Sequence, residues 1–166
     1  HLAVELLEKL LKDDVKAKMK NDVVSEKAYS ERILETLRKY HNRAIETAQV
    51  IEELIQMAKD MEKDLKQAEE LGMNTDEIAF YRALIQNESA VRELGDNNLR
   101  NLAKEITEKL RKSTTVDWQK RDSVRARLRN LVRRALRRWK YPPDRSDEAI
   151  DLCLKQAEVL SESWIS

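Results

Sequence analysis

From Ile33 to Ala68 the apolar side chains recur at alternating steps of four and three: Ile33, Leu37, Tyr40, Ala44, Ile51, Leu54, Ala58, Met61, Leu65 and Ala68, with Thr47 in the one remaining slot. That spacing puts one side chain per turn on a single face of an α-helix. A strand would need strict alternation, and no segment shows it convincingly. The spacing predicts one long helix from about Ser25 to Leu71, closed by Gly72, and about 70 Å long if unbroken. Leu34, Ile45, Ala48 and Ile55 widen the stripe in its first half, as burial inside a bundle requires. The narrower second half reads as a two-helix seam, and a self-associating coiled coil is one outcome of such a seam.

The flanking segments keep the same period. "HLAVELLEKLLKDD" opens the chain with Leu6, Leu7, Leu10, Leu11 and Val15 on one helical face, and "KNDVVSEKA" interrupts it, with Ser25 a cap for the long helix. "GMNTDEIAFYRAL" restarts a helix under Asn74 or Thr75, with acids in its first turn. Gly95 punctuates, and Asp96 caps a helix through Leu99, Leu102, Ala103, Ile106 and Leu110. "STTVDW" is a short link whose Asp117 caps an arginine-rich helix, and "KYPPD" stops that helix because proline lacks the donor. Ser146 or Asp147 caps a last helix through Ile150, Leu152, Leu154, Ala157 and Leu160. The expectation is an all-α, multi-helix bundle of about six helices, one domain with parts at 1–72 and 73–166. Two glycines and two prolines in 166 residues leave little for tight turns, which agrees.

Catalytic chemistry is sparse. His1 and His41 are the only histidines and Cys153 the only cysteine, so no zinc-type ligand spacing exists. His41 sits beside the long seam and reads as a satisfied interfacial side chain. Acid pairs such as Glu52 and Glu53 are ordinary surface charges, and two scattered glycines make no phosphate-cradling loop. No catalytic, cofactor-binding or metal site is expected. A single cysteine fits a reducing compartment. No apolar run approaches the roughly 18 residues of a membrane span, and the opening helix, with its acids, is not a signal peptide. It begins mid-pattern without a cap, so the chain reads as a piece of something longer, with prokaryotic cytoplasm as the default location. Trp118, Trp139 and Trp164 read as packing residues, Trp164 being the easiest to dock elsewhere.

One stretch is unusual. "VRARLRNLVRRALRRWKYPP" (124–143) has Val124, Leu128, Leu131, Val132, Ala135, Leu136 and Trp139 on one face and Arg127, Arg129, Arg133, Arg134, Arg137 and Arg138 opposite. Residues 118–140 hold ten bases and one acid, Asp122, a net +9 in a chain of net +1. The molecule is polarised, and the six arginines are the candidate contact surface. Three readings stay open. The arginines pair with acids of neighbouring helices; they neutralise nucleic-acid phosphates; or they lie on a membrane or a calmodulin-like partner. Base reading is disfavoured, since only Asn130 between Val124 and Lys140 suits base edges.

Three blocks together carry a resemblance: "YHNRAIETAQVIEELIQMAK" (40–59), "EIAFYRALIQNESAVRELGD" (77–96) and "VDWQKRDSVRARLRNLVRRALRRWKYPPD" (116–144). They resemble the C-terminal helical region of the R (restriction/motor) subunit of type I restriction–modification enzymes, and the likeness runs along essentially the whole chain. One departure is Trp139, where the pattern leads one to expect Tyr or His. The resemblance implies a parent subunit with a nuclease domain and two helicase-like motor domains, using ATP and Mg²⁺ as an ATP-dependent site-specific deoxyribonuclease. None of those motifs is in this chain, so its own expected role is non-catalytic and cofactor-free: docking that subunit onto the methyltransferase (M/S) core. The arginine face then has two uses, meeting an acidic surface of the M subunit or lying along the DNA path. An isolated monomer is expected, because the bundle can satisfy the seam internally.

Overall fold

A computed structural model describes residues 1–114 and 122–165, and among them there are eight helices and no strand. They are α1 (Leu2–Lys18), α2 (Val23–His41), α3 (Thr47–Glu70), α4 (Thr75–Leu84), α5 (Glu88–Leu94), α6 (Asp96–Ser113), α7 (Asp122–Arg138) and α8 (Ser146–Ile165). The all-α class stands. The expected cap at Asp117 and the packing role of Trp118 lie outside the described residues.

The long helix of 25–71 is corrected: the chain breaks between α2 and α3. Arg43 adopts a left-handed backbone, φ 58°. Around it the Ala44 N–H donates to the Lys39 carbonyl at 2.8 Å and the Arg43 N–H to Tyr40 at 3.0 Å. These are the two bonds of a Schellman stop, here built without glycine. The chain then reverses, and α3 runs antiparallel to α2. Tyr29 donates its hydroxyl to Asp64, Arg32 pairs with Asp60 at 3.1 Å, and Thr36 donates to Glu53 at 2.9 Å. The four-three pattern therefore faces inward twice within one chain.

With α1 these helices bury Val4, Leu11, Val15, Met19, Tyr29, Ile33, Leu37, Val50, Leu54, Met57 and Met61. Part of each expected stripe stays outside: Leu6 and Leu10 of α1, Leu34 of α2, and Ile55 and Leu65 of α3 are exposed. His41 is exposed at the end of α2, tilted against Tyr40, rather than interfacial.

Helix ends depart from expectation in small, explicable ways. Asp22, not Ser25, caps α2, and its carboxylate accepts from the Ser25 backbone N–H at 3.0 Å. Aspartate is as good a cap as serine, and its second oxygen accepts the Ser25 hydroxyl at 2.9 Å together with a partner on another helix. Asn74 caps α4 with a complete capping box through Glu77. The segment after it holds two helices instead of one, because Asn87 caps α5 anew. Gly95, at φ 80°, both ends α5 and caps α6, so Asp96 is a first-turn residue. The Arg145 carbonyl accepts the first helical bond of α8, from Ala149, which puts Ser146 and Asp147 inside its first turn.

The second core is built round α4. Residues 78–84, "IAFYRAL", are all buried, as a helix surrounded on every side must be. Phe80 and Leu84 pack with Leu99, Leu102, Ile106 and Leu110 of α6, Leu128 and Val132 of α7, and Ile150 and Leu160 of α8. Trp164 closes this core from its edge. Its ring stacks on Phe80 at 6.3 Å and its indole N–H donates to Asp76 at 2.9 Å.

Candidate interaction surface

Helix α7 lies across α6 and α8, burying Leu128, Val132, Ala135 and Leu136. At 100° per residue its arginines fall into two rows. Arg127, Arg134 and Arg138 flank α6; Arg129, Arg133 and Arg137 flank α8. Each row is tied down, though at different places. Arg138 pairs with Glu105 of α6 at 2.5 Å, and Arg127 donates to the Ser113 carbonyl at 3.4 Å. Arg129 pairs with Asp151 of α8 at 2.7 Å.

The six candidate arginines therefore divide. Arg129 and Arg138 fit the expectation of pairing with neighbouring acids. Among the described residues Arg133 reaches only Asn130, on its own helix, at 2.8 Å. Arg134 and Arg137 are exposed and have neither a hydrogen bond nor an ion pair among the described residues. What faces outward is a short cationic ridge with its acidic partners used up at the sides. Nearby like charges without counter-ions raise the local potential and favour an anionic partner.

Glu105 anchors this arrangement. Burial alone would raise its carboxyl, but the Arg138 hydrogen bond, with Lys109 and the Trp139 indole N–H at 3.3 Å, holds it below the ordinary carboxylate value. Trp139 is thereby fixed as a packing residue. The helix stops one residue later at another Schellman motif built without glycine: Lys140 has φ 59°, and the Tyr141 N–H donates to Leu136 at 2.8 Å. Pro142 prevents continuation.

The loop after α7 is joined to the α4–α5 corner. The Tyr141 hydroxyl donates to the Leu84 carbonyl at 2.7 Å, the Asn87 amide to the Asp144 carbonyl at 2.9 Å, and the Ser89 hydroxyl to the Asp144 carboxylate at 3.1 Å. The "AFYRAL…N.SA" block and the "YPPD" block are thus one physical unit, which orients α7 relative to the core.

Sequence reasoning missed the buried polar centre of the molecule. Arg82 of α4 is 8% exposed. One guanidinium nitrogen donates to Asp22 at 2.5 Å and to Ser25 at 3.3 Å; the other donates to the Asp64 carbonyl at 2.6 Å and to Gln67 at 3.0 Å. Gln156 of α8 supports the same junction, accepting from the Val23 N–H and donating to the Asn21 carbonyl. A lone charge inside the apolar run "AFYRAL" is the one signal of it in the sequence.

No group of three or more His, Cys, Asp or Glu side chains is placed to hold a metal ion among the described residues. Cys153 is fully buried, and burial pushes its thiol up to about 12, which leaves it unreactive at neutral pH. No helix among the described residues is long and apolar enough to cross a membrane.

Fold and surface together define an all-α helical module that presents a cationic ridge. The chain belongs to the family described as "Type I restriction enzyme HindI endonuclease subunit-like, C-terminal", which matches residues 1–163. It is 44% identical over 162 residues to the type I restriction enzyme HindI endonuclease subunit of Haemophilus influenzae, covering 98% of this chain and 15% of that protein. It is also 31% identical over 126 residues to a Methanocaldococcus jannaschii protein, provisionally named the type I restriction enzyme MjaIXP endonuclease subunit, covering 75% of this chain and 12% of the relative. No solved structure matches the chain.

Proposed function

We propose that this chain is a non-catalytic helical assembly module of a type I restriction enzyme endonuclease subunit, docking that subunit onto the M/S methyltransferase core. The supporting observation is the divided arginine face. Arg129 and Arg138 hold α7 in place by ion pairs, while Arg127, which donates only to the Ser113 carbonyl, and Arg134 have no carboxylate partner among the described residues. Such a pair meets an acidic surface of the M subunit and gives the encounter its steering and register. The parent subunit, a prokaryotic cytoplasmic protein, is an ATP-dependent site-specific deoxyribonuclease whose ATP, Mg²⁺ and scissile DNA are handled outside this chain. The isolated chain is a monomer, since α1, α2 and α3 consume most of the seam that would drive coiled-coil pairing.

A second reading is favoured by one observation of its own. Arg133 and Arg137 lie on the other flank, over a cleft, and suit loose contact with DNA phosphates along the translocation path. Size-exclusion chromatography of this chain with the methyltransferase complex of its own system tests the docking reading. Co-elution is expected without ATP or DNA. Separate elution, or hydrolysis of ATP or DNA by the purified chain, contradicts it.

A further inference from the structure

Between the C-terminal half of α7 and the start of α8 lies a cleft of about 190 Å³. Its floor is apolar, made by the buried Leu136, Tyr141 and Ile150. Its rim carries Arg133, Arg137, Ser146 and Asp147. The Tyr141 hydroxyl is spent on Leu84, so the donors left to face the cleft are the two guanidiniums and the Ser146 hydroxyl. Arg137 has no partner among the described residues, and Arg133 has used a single N–H.

Two arginines four residues apart sit about 5–6 Å from each other at Cβ and repel. Each guanidinium offers five donors, and among the described residues Asn130 is the one acceptor they reach. An oxyanion placed between them removes the repulsion and fills the donors at once. We infer that this cleft is a seat for one phosphodiester of a nucleic-acid backbone, held jointly by Arg133 and Arg137. The carboxylates beside α7, Asp151 and Glu105, each take a single arginine of this helix, and both lie outside the cleft. A phosphodiester points two non-bridging oxygens in different directions and occupies both guanidiniums.

Asn130, the one amide on this stretch of α7, is engaged by Arg133, and Ser146 on the rim is too short to reach past a backbone phosphate to a base edge. The contact is therefore with backbone only and indifferent to sequence. Asp147 on the rim weakens the hold, which suits a strand that must slide. Such a seat rests on the DNA-backbone reading of this flank and adds to it a place and a ligand group.

The test is fluorescence anisotropy of this chain with two short labelled DNA duplexes of unrelated sequence, titrated with salt. Removing one phosphate contact with the Arg133→Ala, Arg137→Ala double variant should make the slope of log K against log salt shallower by about 0.9, equally for both duplexes. Asp147→Asn, which leaves both arginines in place, should tighten binding. Inorganic polyphosphate should compete far better than polyglutamate of equal charge. If the wild-type chain shows no salt-dependent binding, the DNA reading and the seat fall together. If the wild type binds but neither variant changes it, or polyglutamate competes equally well, the seat alone is overturned.

Discussion

Arg82 and Asp22 meet at 2.5 Å across sixty residues of sequence, at the point where the two hydrophobic cores of the chain touch. One carboxylate thus caps α2 and neutralises the buried arginine of α4. Burying that pair is costly in itself, and together with the Gln156 bonds to Val23 and Asn21 it joins α1–α3 to the α4–α8 core.

Removing one partner leaves the other charge buried and unpaired. Arg82→Ala should therefore lower stability by about 3–5 kcal/mol in urea unfolding. Arg82→Lys keeps the charge but cannot reach four acceptors at once, and should fall between the two. A loss under about 1 kcal/mol for the alanine variant would show that the junction is held by packing alone.

Arg43 and Lys140 occupy left-handed positions that cost an ordinary side chain about 1–2 kcal/mol. Both are exposed. Arg43→Gly and Lys140→Gly should each leave the fold intact and stabilise it by up to about 1 kcal/mol, the gain being cut by the glycine's freer unfolded chain. A rise in the urea midpoint at constant m-value is the check.

Asn87 caps α5 through the Ser89 N–H at 3.0 Å and holds the Asp144 carbonyl from a buried position. Asn87→Ala loses the cap and strands a buried acceptor, at about 1–3 kcal/mol. Because Asp144 belongs to the loop that sets the end of α7, Trp139 fluorescence should shift with it. An unchanged spectrum would uncouple that loop from α7.

Glu105 has its carboxyl held below its ordinary value of 4.5 when folded. A depressed acid stabilises the fold above its unfolded value, and that contribution is lost as pH falls through the folded value. Stability should thus be insensitive to this group above about pH 5 and decline below about pH 4.5. Glu105→Gln should flatten that part of the acid limb, read from thermal midpoints between neutral pH and about pH 3. An identical acid limb in the variant would show that Glu105 contributes nothing to it.

The helical period is legible in α1, α3, α6 and α8, because each buries one face and shows one stripe. The break after α2 is not, since Arg43 stands where a glycine would have announced a stop. The buried surroundings of α4 erase its periodicity and conceal the role of Arg82. The arginine face is visible as composition, yet its division depends on Glu105 and Asp151, which lie on other helices. Spacing along one helix cannot say which neighbour will supply an acid. For the same reason the link between Asn87 and Asp144 is invisible, although the blocks that contain them both stand out in the sequence.

The proposed docking onto the methyltransferase core rests on Arg127 and Arg134 of α7. The most direct measurement is co-elution of this chain with that core, wild type against the Arg127→Glu, Arg134→Glu double variant. Both residues lie off the buried face, so circular dichroism should match. The wild type should co-elute and the reversal should not. Co-elution of both, or of neither, would contradict the assignment.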